Sequence, residues 1–340
     1  MSDANPNPQE LSIAPSPPRC PDGAKVEIIT AREVPLGGPR AMTVRRTLPQ
    51  KQRSLIGAWC FMDHYGPDDV SASGGMDVAP HPHTGLQTVS WLFEGTITHH
   101  DSGGHHAVVF PGEVNLMTAG AGICHSEVST QETTTLHGVQ LWTALPDAHR
   151  HGPRRFDHHA PEAVEFDGGQ ALVFLGTLFG DASPVTTFTP LVGAEIRLAA
   201  GATVSFDVDA SFEHGLLVDA GEVDLEGVPV ARGELAYTGT GETQLRIRNT
   251  GDSPARMVFI GGEPFTENIL MWWNFIGREY EEIEQFREQW QAQDERFGHT
   301  YGYIGHHADG LSWLPAPELP HSEIKPRINP ESIARPEERI

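Results

Sequence analysis

Apolar and polar residues alternate in short segments along the first half of the chain, and this alternation predicts β-strands. Turn-forming residues separate the segments, as at Glu94-Gly95 and Pro111-Gly112. The predicted strands cover residues 25–30, 41–46, 88–93, 96–100, 108–110 and 136–145. Many short strands punctuated by glycine and proline are typical of a β-sandwich or a β-barrel.

A second block of alternating segments follows a polar stretch. Its predicted strands cover residues 171–175, 194–198, 203–206, 215–218, 244–247 and 256–260. The two blocks share an order of strand, glycine, polar strand, turn and glycine, at residues 90–113 and at residues 216–234. We interpret this likeness as an internal duplication, the alternative being that hydrophobic alternation alone produces it.

One amphipathic helix is predicted near the end of the second block, over residues 278–296. Large apolar residues recur there at steps of three or four, which gives one apolar face. These residues are Ile276, Tyr280, Ile283, Phe286 and Trp290.

The two ends of the chain differ in composition from the strand-rich blocks. The start is rich in Pro, Asn and Ser, which predicts a disordered tail. The end is either disordered or an arm on the surface, with Trp313 and Leu314 as its anchors. The predicted division is a tail at 1–24, a first barrel with a metal site at 25–150, a linker at 151–168, a second barrel with the helix and no metal at 169–298, and an extended tail at 299–340.

The chain is acidic, with 46 Asp and Glu against 23 Lys and Arg and a formal net charge of −23. Binding to a phosphate backbone needs a cationic surface, so direct nucleic-acid binding is disfavoured. No apolar run is long enough to predict a membrane span. Three cysteines do not form a disulfide framework, and the first residues lack the features of a secretory signal. These observations favour a cytoplasmic protein.

Two short motifs carry most of the chemistry, namely His81-Pro82-His83 and His125-Ser126-Glu127. In a β-strand, residues i and i+2 point the same way, so each motif aims two ligands at one point. Two such strands facing each other inside a barrel would close a four-ligand site. Three imidazoles and one carboxylate suit a divalent transition metal, with iron(II) a natural candidate.

The other histidines and cysteines near these motifs have simpler interpretations. His99, His100, His105 and His106 flank a predicted hairpin turn and are interpreted as solvated loop residues, because the motifs already complete a site. Cys124 faces away from the ligands on strand alternation and is interpreted as a packed core thiol. His214 stands alone in the second block, which predicts that the second barrel holds no metal.

The segments around the two motifs resemble the signature blocks of the pirin family, which belongs to the cupin superfamily. These segments are HPHTGLQTVSWLFEGTITHHDSGG at residues 81–104 and PGEVNLMTAGAGICHSE at residues 111–127. The sequence at 261–283 is similar to the end of the pirin C-terminal domain, and the resemblance covers roughly 26–297. It implies an all-β fold of two tandem cupin barrels with a short C-terminal helix.

The resemblance also implies a ligand set, namely His81, His83, His125 and Glu127. The metal in the family is usually iron, and we expect Fe(II), with Mn, Ni, Cu and Zn as the alternatives that the same ligands bind. The glutamate that cupins often carry shortly after the first motif is replaced by Gln87-Thr88. Asp63 and His64 either line this metal pocket or lie elsewhere, and the resemblance leaves both alternatives open.

For activity, the resemblance implies a metal-dependent dioxygenase of the quercetin 2,3-dioxygenase type. Such an enzyme opens the ring of a flavonol or related enol with O2 and releases carbon monoxide, and Glu127 is the candidate catalytic base. The alternative is an iron-dependent, redox-sensing regulator that acts through protein–protein contacts, as a transcription cofactor or as the partner of a metabolic enzyme. A metal-free binding barrel is the third hypothesis, disfavoured because all four ligand positions are filled.

Overall fold

The computed structural model describes residues 25–36, 42–305, 312–322, 324–327 and 329. The predicted tail at 1–24 lies outside the described residues, as do parts of the predicted tail at 299–340. The strands of the first half are β1 (Val26–Ile29), β2 (Arg32–Leu36), β3 (Met42–Leu48), β4 (Trp59–Asp69), β5 (Asp77–His83), β6 (Leu86–Glu94), β7 (Ile97–Asp101), β8 (His106–Val109), β9 (Val114–Thr118), β10 (Ile123–Ser129), β11 (Thr135–Ala144) and β12 (Arg155–His159).

The second half is also mainly β-structure. Its strands are β13 (Ala163–Phe166), β14 (Gly169–Leu175), β15 (Thr177–Leu178), β16 (Asp181–Ala182), β17 (Leu191–Leu198), β18 (Thr203–Asp207), β19 (Glu213–Ala220), β20 (Val223–Leu225), β21 (Val228–Val230), β22 (Leu235–Thr238), β23 (Gln244–Asn249), β24 (Ala255–Gly262), β25 (Leu270–Trp272) and β26 (Phe275–Gly277). The helices of the described residues are α1 (Val70–Ser73) and α2 (Tyr280–Gln291). Within these residues, no helix has the length and apolar character needed to cross a bilayer.

Each half of the chain forms a seven-stranded sheet and a four-stranded sheet. The first barrel has the orders β12-β9-β6-β11-β4-β3-β2 and β5-β10-β7-β8. The second has the orders β1-β22-β19-β24-β17-β14-β13 and β18-β23-β20-β21. The two sets of orders correspond strand for strand, so the predicted internal duplication is present in the fold. The fold class of two tandem cupin barrels is confirmed.

Strand pairing moves two of the predicted boundaries. The first strand, β1, lies inside the predicted first barrel unit of 25–150, but it pairs with β22 of the second barrel. The predicted linker at 151–168 contains two strands, since β12 pairs with β9 and β13 pairs with β14. The alternation of apolar and polar residues predicts that a segment is a strand but not which strand it pairs with, because pairing is decided by contacts between residues distant in sequence.

The two seven-stranded sheets pack against each other through a shared apolar core. Trp91 of the first barrel lies against Phe174 of the second, with ring centres 4.7 Å apart. The indole N–H of Trp91 donates a hydrogen bond to Glu195 at 2.7 Å, which satisfies both buried polar groups. This packing leaves the four-stranded sheet of the first barrel on the side away from the second barrel's core.

Helix α2 buries the face that the sequence predicts, through Ile283, Phe286 and Trp290. It begins with a capping box, in which Glu279 and Glu282 each accept from the other's backbone N–H. The helix ends at Gln291, earlier than the predicted 296, because the chain turns at Gln293, which adopts a positive φ.

The described part of the C-terminal segment lies on the surface of the first barrel as an arm. The ring of Trp313 contacts Trp290 with centres 5.4 Å apart, and Trp290 donates its indole hydrogen bond to the Leu314 carbonyl. The Leu314 N–H in turn donates to the carbonyl of Pro80 on β5 at 2.8 Å. Of the two alternatives for this segment, its described residues therefore support the arm anchored by Trp313 and Leu314.

Candidate metal centre

The two histidine motifs lie on neighbouring strands of the four-stranded sheet of the first barrel. His81 and His83 are on β5, while His125 and Glu127 are on β10. The strands are antiparallel, with His125 directly opposite His81. The expectation that the two strands face each other across the barrel is wrong, because they are hydrogen-bonded neighbours. One face of one sheet presents the ligand candidates.

An irregularity in the pairing lies beside the site without disturbing it. His125 pairs with His81, but Glu127 pairs with Val78, so β5 contains one extra residue before His81. The alternation between His81 and His83, and between His125 and Glu127, is unaffected. The bulge also brings the carbonyl of Ala79 to the His81 ring, where Nδ1 donates to it at 2.9 Å.

Three imidazole rings converge on this face. The Nε2 atoms of His83 and His125 are 3.1 Å apart, and the ring centres of His81 and His125 are 4.3 Å apart. The donation from His81 Nδ1 leaves its Nε2 without a hydrogen, and that buried atom has no partner among the described residues. Each histidine offers a ligand atom within 4.8 Å of the others. Metal–nitrogen bonds of about 2.0–2.1 Å place adjacent ligand atoms about 3 Å apart, so this spacing fits one ion.

Burial keeps these imidazoles in the neutral form that binds metals. It lowers the pKa of His81 to about 3. Burial, and next the proximity of His81, hold the pKa of His83 well below its usual range. The pKa of His125 is lowered in the same way by burial, then by His81 and His83. The three rings therefore offer lone pairs at neutral pH.

Glu127 is buried beside His125 rather than centred among all three histidines. One of its oxygens and a nitrogen of His125 lie within 4.8 Å, and the buried His99 completes that group. The Ser90 hydroxyl donates to Oε1 of Glu127 at 3.1 Å, whereas Oε2 has no partner among the described residues. An unpartnered carboxylate oxygen in a buried site is costly unless a cation or a proton satisfies it.

The donor set fits a divalent transition metal, because neutral imidazoles and one carboxylate suit such ions. Two unpartnered buried atoms, His81 Nε2 and Glu127 Oε2, are the structural evidence for the fit. The wall beside His83 is aromatic, since Trp142 contacts its ring edge-on at 5.1 Å and Phe61 stacks on Trp142 at 4.1 Å. These rings exclude water from one side of the site.

The prediction for His99 is wrong. Its side chain is not in a solvated loop, because it points from β7 into the sheet face that carries His125 and is buried. Its Nδ1 lies 3.4 Å from Nδ1 of His125. The hairpin sequence contains no signal for this burial, since Phe156, which covers the His99 ring, comes from a distant strand. His106 is exposed as predicted.

Asp63 and His64 do not line the metal pocket, so the other of the two alternatives holds. Asp63 accepts a bidentate pair of hydrogen bonds from Arg46. His64 lies between the barrels, where its Nε2 is 2.7 Å from Asp219. The Nε2 of His137 is 2.6 Å from the same carboxylate oxygen. This second cluster was not visible in the sequence, because its members come from both barrels.

The side chains of Cys124 and Gln87 contact residues outside the set of candidate ligands. Cys124 packs in an apolar cluster with residues of α2, and burial raises the pKa of its thiol to about 12, so it is a core thiol as predicted. The Gln87 side chain donates to Thr118 and accepts from Thr143 on the adjacent strands. Gln87 therefore cross-links the large sheet.

The second barrel has apolar residues on the strands that correspond to β5 and β10. There Val204 pairs with Ile247 and Phe206 pairs with Leu245, and all four are buried. His214 is buried against Phe259, and among the described residues neither of its ring nitrogens has a partner. Within the part of this barrel that the structure describes, no group of three potential ligands lies in the interior.

Comparison with known proteins places this site in a family. The sequence model of the family described as Pirin matches residues 41–143, and that of the Pirin C-terminal cupin domain matches residues 193–298. A Pseudomonas aeruginosa protein named "Putative quercetin 2,3-dioxygenase" is 41% identical over 282 residues, which are 82% of this chain and 88% of that protein. A pirin-like protein of Caulobacter vibrioides is 34% identical over 78% of this chain and 92% of its own length. The crystal structure of quercetin 2,3-dioxygenase from Acinetobacter baumannii superposes with a TM-score of 0.82 at 37% identity, covering 88% of this chain and 97% of that one. The chain therefore belongs to the pirin family.

Proposed function

We propose that this protein is a metal-dependent dioxygenase that cleaves a flavonol, or a related enol substrate, with O2 at a mononuclear centre. The observation that carries the proposal is the buried group of three neutral histidines beside a carboxylate with a free oxygen. The names of the similar proteins from Pseudomonas aeruginosa and Acinetobacter baumannii support the quercetin 2,3-dioxygenase type.

The proposed ligands are His81, His83, His125 and Glu127. The proposed metal is Fe(II), with Mn, Ni, Cu or Zn as alternatives, because the same donor set accepts all of them. When bound, a metal of this kind polarises an enolate-type oxygen and brings substrate and O2 together. The histidines contribute by staying neutral, which leaves the charge balance of the site to Glu127.

Glu127 is the proposed general base, and its neighbours explain how it is held. The Ser90 hydroxyl contacts Oε1 of Glu127, and the Gln140 amide lies 3.0 Å from that hydroxyl. A hydroxyl has one hydrogen, so Ser90 shares it between Oε1 of Glu127 and the side-chain oxygen of Gln140. Oε1 is thereby fixed, and Oε2 is left to take the proton of a substrate hydroxyl.

The aromatic wall supplies the remaining condition for this chemistry. Trp142, on which Phe61 stacks, presents an apolar ring next to His83, which suits a planar aromatic substrate. By excluding water they also strengthen the interaction between Glu127 and the substrate proton.

Metal loading followed by turnover tests the proposal. We expect purified protein loaded anaerobically with Fe(II) to hold close to one ion per chain, and to consume O2 and quercetin when both are supplied. His83→Ala should reduce the metal content to under about 0.1 per chain, since a lost ligand opens the site. Glu127→Gln should lower kcat about 100-fold or more, the usual contribution of a general base.

The exposed His106 provides the matched control, because His106→Ala removes an imidazole from the same barrel without touching the site. It should keep wild-type metal content and turnover. Loaded wild-type protein that consumes neither O2 nor quercetin would rule out this activity.

A further inference from the structure

We propose that Asp101 and His99 position His125 by fixing which of its ring nitrogens carries the hydrogen. The inference rests on the proposed metal site, and it concerns two residues that are not in the proposed ligand set. They are positioning residues, because they act on the site through the ring of His125.

The three side chains share one face of the four-stranded sheet. Strand β7 pairs with β10 so that Asp101 is opposite His125 and His99 is opposite Glu127. Directly opposite residues in an antiparallel pair point to the same side. His99 and Asp101 are each about 3% exposed, so bulk water does not compete for their hydrogen bonds.

The chain of contacts begins at Asp101. Its Oδ1 accepts from the backbone N–H groups of Gly103 at 2.7 Å and His105 at 3.1 Å, which ties the carboxylate to the hairpin turn. Its Oδ2 lies 3.3 Å from Nε2 of His99. Burial disfavours the charged carboxylate, but these hydrogen bonds outweigh burial and hold the pKa of Asp101 below its usual value. Asp101 is therefore a fixed acceptor.

The hydrogen positions along the rest of the chain follow from this acceptor. A carboxylate can only accept, so Nε2 of His99 carries the hydrogen, and Nδ1 of a neutral His99 is bare. That Nδ1 faces Nδ1 of His125 at 3.4 Å, so the contact is a hydrogen bond only if His125 carries its hydrogen there. The Nε2 of His125 is then bare, and this is the atom 3.1 Å from Nε2 of His83.

The other end of the chain of contacts reaches the surface. His105 Nδ1 lies 3.1 Å from Asp101, and the His105 side chain is 42% exposed. Phe156 covers the rings of both His99 and His105, with ring centres 5.0 and 5.2 Å away. The arrangement is a buried support for His125 that has an aromatic cover. Partners of this kind orient ligating histidines and typically change metal affinity by about 10- to 100-fold when they are removed.

Asp101→Asn tests the inference with little change in shape. The asparagine oxygen still accepts from Gly103 and His105, while its NH2 group replaces the oxygen that faces His99. An NH2 group donates, so the hydrogen of His99 moves to Nδ1, and that of His125 moves to Nε2, where it blocks the metal. We expect the Kd for Zn²⁺, measured by competition with a chromophoric chelator, to rise about 10- to 100-fold.

A matched pair of variants at His99 tests the inference even if Asp101→Asn fails to fold. In His99→Gln, the amide can donate to Asp101 and accept from His125, so we expect a Kd within about threefold of wild type. His99→Leu has a similar volume but no acceptor, and we expect a loss of about tenfold or more. Equal losses in both variants would show a purely structural role and would overturn the inference.

Nitrogen NMR of the metal-free protein reads the tautomers directly and needs neither metal nor substrate. We expect His125 to carry its hydrogen on Nδ1 in the wild type and in His99→Gln, and on Nε2 in Asp101→Asn. An unchanged tautomer in Asp101→Asn would overturn the inference. Wild-type protein that binds no metal but has the expected tautomers would instead contradict the proposed function and leave the positioning role standing.

Discussion

The histidines buried in this chain differ in what their rings contact, and those contacts decide their chemistry. His81, His83 and His125 face one another, whereas His64 and His137 share the carboxylate of Asp219. His214 contacts mainly aromatic carbon, and burial lowers its pKa to about 4. Burial outweighs the nearby carboxylate of Asp209, which acts to raise the pKa. A buried imidazole with a lowered pKa destabilises the protein in acid, because unfolding allows it to take up a proton.

His214→Phe should therefore change how stability depends on pH. The folded pKa of about 4 lies below the unfolded value of about 6.5, so the unfolded chain binds more protons between these pH values. Above about pH 6.5 His214 costs the wild type little stability, and the cost grows as the pH falls towards 4. When the pH is lowered from 7 to 5, the free energy of unfolding of the variant should therefore rise by about 2 kcal/mol relative to that of the wild type.

Urea denaturation of both metal-free proteins at the two pH values measures this difference. The exposed His106→Gln serves as the control and should follow the wild-type profile. Parallel pH profiles for wild type and His214→Phe would show that His214 is not protonated on unfolding in this range.

At the scale of elements, the arm that contains Trp313 and Leu314 supports the strand that carries two proposed ligands. Strand β5 is the outermost strand of its sheet, and such strands have unpaired backbone groups. The Leu314 N–H satisfies the carbonyl of Pro80, the residue before His81. The Leu314 side chain is buried in the apolar cluster behind β5 and β7.

Leu314→Ala should destabilise the protein by about 2–4 kcal/mol, because it leaves a cavity in that cluster. We also expect faster hydrogen exchange at the amides of β5, since the arm would release its edge. Ile304→Ala is the control, because Ile304 belongs to the same segment but is 80% exposed, and it should change stability by less than about 0.5 kcal/mol. Equal exchange rates in all three proteins would show that the arm does not hold β5.

The sequence predicts the strands and the proposed ligands more fully than it predicts their surroundings. Alternation within a strand is local, so His81, His83, His125 and Glu127 can be recognised by their spacing alone. The burial of His99 depends on Phe156 from β12, and a histidine in a hairpin looks the same whether buried or solvated. Partners that are distant in sequence decide such features, and one sequence does not record them.

At the scale of the whole molecule, a buried polar cluster joins the two barrels. His64 and His137 belong to the first barrel, and Asp219 belongs to β19 of the second. Arg256 of the second barrel donates to the other oxygen of Asp219 at 2.6 Å. Burial opposes the charge of Asp219, but the hydrogen bonds from His137 and His64 outweigh it and hold its pKa far below the usual value.

Asp219→Ala should lower the free energy of unfolding by about 3–5 kcal/mol, because it leaves the partly buried Arg256 and two buried imidazole N–H groups without their acceptor. Urea denaturation at pH 7 measures the loss. Asp252→Ala removes an exposed carboxylate of the same barrel and should have an effect below about 0.5 kcal/mol. Similar midpoints for the two variants would mean that water replaces Asp219 in the cluster.

The pairing of β1 with β22 has a consequence for how the chain is made. As a nascent chain leaves the ribosome, β1 emerges early, but its partner follows about 200 residues later. The second barrel can complete its sheet only after β24 (Ala255–Gly262) has been synthesised, and such distant closures slow folding. Until then β1 is an unpaired apolar strand, a segment that chaperones recognise. Deleting residues 1–30, which include β1, would thus impair the second barrel.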